Sequence, residues 1–559
     1  MQKKCSYLLL SAASALLLTS CSGKLGALSA DNFNVTPNPL ESHAGNVDAT
    51  INGMFPEKYM NKKAVVTVTP ELRYGNGQVA KGNSATFQGE KVEGNDQTIA
   101  YKVGGNYTMK TRFTYVPEMQ QSELYLTFDA RIGNKTVDVP AVKVATGVIA
   151  TSELCKQTAA TAQPSLSTDA YQRITAAKQE ANIKFLIQQA TLRKSELKNN
   201  SVTEFVNLLQ RISRENKTLN LKNVEVSAYA SPDGGFTLND KLANQRQQTS
   251  EKYVKEQLKK TKVNGPIDAK YTAQDWEGFQ ELVRASDIQD KDVILRVLSM
   301  YKDPEEREQQ IKNMSAAFRE LADGILPELR RARLTINYEV IGRSDQQIQE
   351  QLSQDAKQLS IEEILYAATL TNNVNEKEDI YKKAAELYPN DARAYNNIAA
   401  IEYSKGNLDT AKKYAEKAQA IGNLAEANAN LGLIALQNGD VKAAENYIAK
   451  ATNANGLNEI VGNLNIAQGN YAQAEQNLSK TATNSAALAQ IMNKNYSGAV
   501  QTLNNVKATN GMTDYLKAVA YARQGNNTQA AAALASALSK DPSLKKYADA
   551  DLELQNISK

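Results

Sequence analysis

Histidine occurs once in the 559 residues, at His43, and cysteine three times, at Cys5, Cys21 and Cys155. Any His-based metal site or Ser-His-Asp triad would depend on His43 alone, which lies in a Pro/Asn/Ser/Gly-rich stretch that reads as a surface loop. Cys5 and Cys21 belong to the amino-terminal segment, so Cys155 stands without a partner and a disulfide framework is excluded. No HExxH, P-loop or dinucleotide-binding glycine motif lies in a suitable context, so no enzyme, no metal and no cofactor are expected. Neither sign of charge dominates: 65 basic against 61 acidic residues leave a formal net charge of +4, which gives no electrostatic ground for a nucleic-acid partner. After the first twenty residues no apolar run is long enough to cross a bilayer as a helix.

Those first residues carry a strong signal. Lys3 and Lys4 precede an apolar run from Tyr7 to Leu18, the layout of a secretory signal peptide over residues 1–20. Leu18-Thr19-Ser20-Cys21 resembles the lipobox of bacterial lipoproteins. The resemblance implies cleavage before Cys21, acylation of its thiol and acylation of the new amine; several chains make a stable membrane anchor where one would be marginal. Ser22 replaces the aspartate that retains proteobacterial lipoproteins in the inner membrane, which implies the outer membrane. The acidic cluster of surface-displayed Bacteroidota lipoproteins is missing before Asp31, so a periplasm-facing anchor with a tether over residues 21–31 is expected.

Over residues 32–160 the hydropathy period is two. Ala64-Val65-Val66-Thr67-Val68-Thr69 and Glu123-Leu124-Tyr125-Leu126-Thr127-Phe128 read as strands, separated by turn clusters such as Gly75-Asn76-Gly77 and Gly104-Gly105-Asn106. Short strands at this spacing predict an antiparallel β-sandwich. Asn38-Pro39-Leu40-Glu41 and Asn52-Gly53-Met54-Phe55-Pro56-Glu57-Lys58 resemble the amino-terminal domain of Bacteroidota lipoproteins, which implies a spacer or docking module and no chemistry.

Residues 161–343 read as β-α-β-α-β with a helical insertion at about 262–329. Ser201 and Glu204 have the spacing of a capping box, and Val202, Phe205, Val206, Leu209 and Ile212 share one helical face. Ser231-Pro232-Asp233-Gly234-Gly235 forms a sharp turn before a second helix, and Trp276 reads as a core anchor of the insertion. Gly234, Asn239, Leu242 and Arg246 occupy the spaced positions of the OmpA-like peptidoglycan-associating domain, and Arg330-Arg331-Ala332-Arg333 resembles the basic stretch of that family. The resemblance covers roughly residues 183–338. It implies a site for the zwitterionic diaminopimelate of a peptidoglycan stem, with Arg246 as the fork for its carboxylate. The family's aspartate slot for the ammonium holds Ser231, after Ala230 in place of threonine; Asp233, two positions on, is the alternative carboxylate.

After a polar linker at 344–357, residues 358–559 turn rich in Ala, Asn and Gln and repeat themselves. Gly406, Ala411 and Ala418 recur as Gly439, Ala444 and Ala451 at a spacing of 33; Gly469 with Ala474, and Gly525 with Ala530 and Ala537, repeat the pattern. This resembles the tetratricopeptide repeat, a helix-turn-helix near 34 residues that stacks into a solenoid with a concave face for peptides or protein segments. The expected whole is a multidomain, non-catalytic adaptor: β-sandwich, central α/β OmpA-like domain, all-α repeats. Its expected partners are the membrane through lipid, peptidoglycan, and a protein held by the repeats. The alternative is an accessory subunit of an outer-membrane assembly or secretion complex whose OmpA-like domain does not bind peptidoglycan.

Overall fold

Alternation of apolar and polar residues builds the amino-terminal sheets. The computed structural model describes residues 25–313 and 319–557, so the signal segment, the lipobox and Cys21 lie outside the described residues. One sheet contains β1 (Phe33–Thr36), β2 (Leu40–His43), β3 (Asn46–Phe55), β8 (Gly105–Thr114) and β12 (Val148–Ile149). The other contains β4 (Ala64–Tyr74), β5 (Gln78–Lys81), β6 (Ala85–Gly89), β7 (Gln97–Ile99), β9 (Ser122–Ile132), β10 (Lys135–Val137) and β11 (Val142–Thr146). Every second residue of β3, and of β4 as far as Leu72, is buried, and both sheets feed one core that includes Ile51, Phe55, Val66, Leu72 and Leu126. The pairing is antiparallel, as expected, except that β2–β12 and β6–β7 are parallel.

The chain forms two compact units, and they do not follow the linear order of its regions. Residues 169–370 make one unit; the residues before and after them together make the other. The sheets and the repeats therefore belong to a single body. Within it, the Tyr547 hydroxyl donates to the Ala150 carbonyl at 2.9 Å and the Thr151 hydroxyl to Glu553 at 3.0 Å.

The inserted unit has a four-stranded sheet in the order β13 (Ile174–Lys184), β16 (Arg331–Ile341), β14 (Leu219–Tyr229), β15 (Ile267–Thr272). β16 is antiparallel to both neighbours, whereas β14 and β15 are parallel. Helices Asn200–Arg214 and Phe236–Thr261 connect the strands, and Val202, Phe205, Leu209 and Ile212 are buried in the shared core. The cap of the first helix is Asn199, which accepts from the Val202 amide; Ser201 instead donates its hydroxyl to Asn199. β15 falls inside the stretch expected to be a helical insertion. Its exposed residues, Asp268-Ala269-Lys270-Tyr271-Thr272, show no alternation that sequence could reveal. Helices Trp276–Ala285, Lys291–Met300 and Pro304–Asn313 follow; Phe279, Val283, Ile294 and Leu298 give the insertion its own small core, with Trp276 half-buried against it. The expected linker is also helical. Ser344 and Ser360 each head a capping box, for helices Asp345–Asp355 and Ile361–Ala367, and Arg343 pairs with Glu363 at 2.9 Å.

Five helix pairs follow helix Val374–Leu387 among the described residues, from Ala392–Ser404 with Leu408–Gly422 to Gly511–Arg523 with Asn527–Lys540. Gly406, Gly439, Gly469 and Gly525 turn between paired helices at φ near +80°, the left-handed region glycine tolerates; Lys494 takes this place, at φ 67°, in the fourth pair. Ala411, Ala444, Ala474 and Ala530 are fully buried where helices meet, as is Ala499 in the fourth pair. A Cβ on Gly432 would lie 2.6 Å from Ile448, so the helices approach too closely there for any side chain.

Candidate functional site

Two places have the geometry of a site. The first is the turn after β14. Asn239, on the following helix, reaches back so that its Nδ2 donates to the carbonyls of Ser231 at 2.9 Å and Gly234 at 2.7 Å, which fixes the turn. The Ser231 hydroxyl donates to Asp233, and Arg330 pairs with the same carboxylate at 3.0 Å while its Nε lies 3.3 Å from the Ser231 hydroxyl. Ser231, Asp233 and Asn239 are thus brought together.

Arg246 is buried, 1% exposed, and its fork is spent on main chain. It donates to the carbonyls of Gln189 at 2.9 Å, Tyr229 at 2.9 Å and Leu186 at 3.3 Å. Burial, reinforced by the nearby charge of Arg330 and opposed by Asp233, pushes its pKa down to about 10. Arg330 is the residue that sequence noted only as part of a basic stretch. Its signal was position: it stands immediately before β16, one residue from Arg331, whose guanidinium pairs with buried Asp275 at 3.1 Å.

The second place is the inner face of the first helix pairs. Asn397, Asn430 and Asn463 stand 33 residues apart, at the same position of successive first helices, and all three are buried. Residues 163–168 run along this face without regular structure, Ser165 and Ser167 buried and Leu166 and Thr168 exposed. Asn430 accepts from the Ser165 amide at 2.7 Å and donates to the Ser165 carbonyl at 2.8 Å. Asn397 does the same for Ser167, at 2.8 and 3.0 Å. Asn396 adds bonds to the Ser165 carbonyl and the Ser167 hydroxyl, both at 3.0 Å. The Ser165 hydroxyl donates to the Asn455 carbonyl at 2.7 Å, and Tyr403 donates to the Ala159 carbonyl at 2.5 Å. Each carboxamide offers one donor and one acceptor side by side, which matches the N–H and C=O of one extended residue.

Residues 392–421 and 425–456 match the tetratricopeptide repeat family model. The carboxy-terminal region is built of tetratricopeptide repeats. Among solved structures, a tetratricopeptide repeat protein from Parabacteroides merdae is 15% identical over 50% of this chain and 100% of its own, with a TM-score of 0.27. Yeast Tom70 is 11% identical over 64% of this chain and 82% of its own, at 0.23, and a thermophilic repeat protein of Thermus thermophilus is 16% identical over 34% and 98%, at 0.18. No curated protein matches the chain. Tetratricopeptide repeats are protein-interaction modules, so the carboxy-terminal region provides protein–protein contacts. Sequence expected a concave face for peptides or protein segments; the inner face of the first helices holds the chain's own residues 163–168.

Among the described residues no cluster of His, Cys, Asp and Glu could hold a metal ion, and no helix is long and apolar enough to cross a membrane. His43 is exposed at the end of β2, beside Glu41 and within 3.0 Å of the Tyr471 hydroxyl.

Proposed function

We propose that the chain is a non-catalytic adaptor of a bacterial outer membrane, anchored through lipid on Cys21 and facing the periplasm. Its inserted unit is an OmpA-like module that tethers to peptidoglycan, and its repeats hold a protein partner. The observation that carries the tether is the turn after β14: Asn239 shapes it, Asp233 supplies a carboxylate there, and the β-α-β-α-β order of the unit, followed by the inserted helices and β16, supports the family reading. In this reading Asp233 replaces the missing aspartate at Ser231 as the group that meets an ammonium.

A second reading, a docking subunit without peptidoglycan, is favoured by a specific observation. Asp233 already has a cation in Arg330, and Arg246 already has three acceptors. Co-sedimentation of the full chain with sacculi separates the two. If the site is a tether gated by Arg330, Arg330→Ala frees Asp233 and raises binding about tenfold or more, within the 1.5–3 kcal/mol of a charged hydrogen bond. No binding by wild type or by Arg330→Ala assigns the unit to docking.

A further inference from the structure

The peptide lying on the repeats is held by its main chain, and this decides what else the face can hold. The paired bonds from Asn397 and Asn430 go to the amide and carbonyl of alternate residues, so they read an extended backbone and not its side chains. Two repeats read residues 167 and 165, and the third continues the register, since the Gln163 amide donates to Glu459 of the next first helix at 3.4 Å. Selectivity enters only through the inward positions. Ser165 and Ser167 are 2% and 7% exposed, leaving room for little beyond a hydroxymethyl group, while the outward Leu166 is 44% exposed and contributes no requirement. Any extended segment with small residues at alternate positions meets these conditions.

We propose that the inner face of the first three repeats is a receptor for an extended peptide with small, preferably hydroxyl-bearing, residues at alternate positions, and that residues 163–168 are its built-in competitor. This deepens the reading of the repeats as a partner-binding module. A tethered competitor works at an effective concentration near the millimolar range, so it excludes weak peptides and yields to a strong or multivalent one. Asn463, on the same first helix as Glu459, bonds to Glu459 and Ser485 instead, and it is the position where an incoming peptide can gain a paired carboxamide grip that the resident segment lacks.

The test uses the full chain and a fluorescent synthetic peptide of residues 160–169, Ala-Thr-Ala-Gln-Pro-Ser-Leu-Ser-Thr-Asp. Ser165→Glu with Ser167→Glu places carboxylates where the face has no room, so the resident segment leaves. This variant should bind the peptide at least tenfold more tightly than wild type, and adding Asn397→Ala and Asn430→Ala should abolish the gain. A folded double variant with no gain overturns the proposal. So does loss of the repeats' helical circular dichroism, which would make the segment a structural strut. In wild type, millimolar peptide should speed amide exchange at 165–168 while helix Ala392–Ser404 stays protected; unchanged exchange also overturns it. A partner held on another face of the repeats would still be captured in every case, which separates this failure from failure of the adaptor reading.

Discussion

The turn of the inserted unit and the inner face of the repeats are both filled by the chain itself, but by different chemistry. At the turn the filler is one charged side chain, Arg330, set against Asp233. On the repeats it is a run of neutral main chain gripped by carboxamides. A charge pair is strong and local: an incoming ligand must replace a guanidinium with a cation of its own, and a single substitution reopens the place. A main-chain grip is shared among several bonds of modest net value each, so it yields progressively and to many sequences. The difference teaches that whether such a place is open or filled is set elsewhere in the chain.

The sharpest test of the charged side of this comparison is Arg246→Ala. Three partly buried carbonyls lose the donor that the buried guanidinium supplies, and we expect the inserted unit to lose about 3 kcal/mol in denaturant unfolding, since hydrogen bonds to a charged group contribute about 1.5–3 kcal/mol. A variant that folds normally would return Arg246 to the role of a ligand fork and erase the contrast.

Next in size is Ala444→Leu in the second repeat. Ala444 is fully buried one turn before Ile448, on the helix side that meets Gly432, and the added bulk should cost about 1–3 kcal/mol, read as a lower thermal midpoint of the unit holding the repeats. Nearest-neighbour stacking confines much of the damage to adjoining repeats. Damage transmitted equally to the inserted unit would show that the two bodies do not unfold separately.

The smallest effect concerns a buried acid of the unit that holds the repeats. Asp551 is buried, accepts from the Tyr515 hydroxyl and from the Glu553 amide, the latter at 3.0 Å, and burial pushes its pKa up to about 6. The folded state therefore favours the protonated acid. Its contribution is complete below about pH 4 and is lost as pH rises through about 6. Asp551→Asn stays neutral, so its stability relative to wild type should rise by on the order of 1–2 kcal/mol between about pH 4 and about pH 7. A pH-independent difference in chemical unfolding would show that Asp551 stays charged, or stays neutral, throughout.

Much of this fold was legible because its periods are local. The β-branched and alternating runs of β4 and β9, and the 33-residue recurrence of Gly406 and Ala411, state the strands and the repeats without any long-range information. What stayed hidden depends on distant partners. β15 is exposed along most of its length, so its place is set by hydrogen bonds to β14 rather than by hydropathy. Asp345–Asp355 reads as a polar linker because only Ile348 of its residues is buried. At the turn, Ser231, Asp233 and Asn239 were singled out by the family resemblance, but Arg330 lies 97 residues beyond Asp233 and nothing near either residue announces the pair. The asparagines of the repeats were visible as composition; that they grip residues 165 and 167 was not, because 230 and 265 residues separate the partners.

The insertion of residues 169–370 into the other unit also imposes a chronology on the chain as it is made. The inserted unit is contiguous and can close as soon as Leu370 is available. The enclosing unit is completed only when Tyr547 reaches Ala150 and Glu553 reaches Thr151, partners about 400 residues apart, although the core between its two sheets draws on residues 25–148 alone. The loop thus closed is expensive mainly in time, since closure entropy grows only slowly with length whereas search slows with sequence separation. Residues 163–168 are covered once the helices as far as Glu459 have formed, whereas Ala150 and Thr151 wait for the last turns, so a carboxy-terminal truncation would uncover the stretch that follows the amino-terminal sheets.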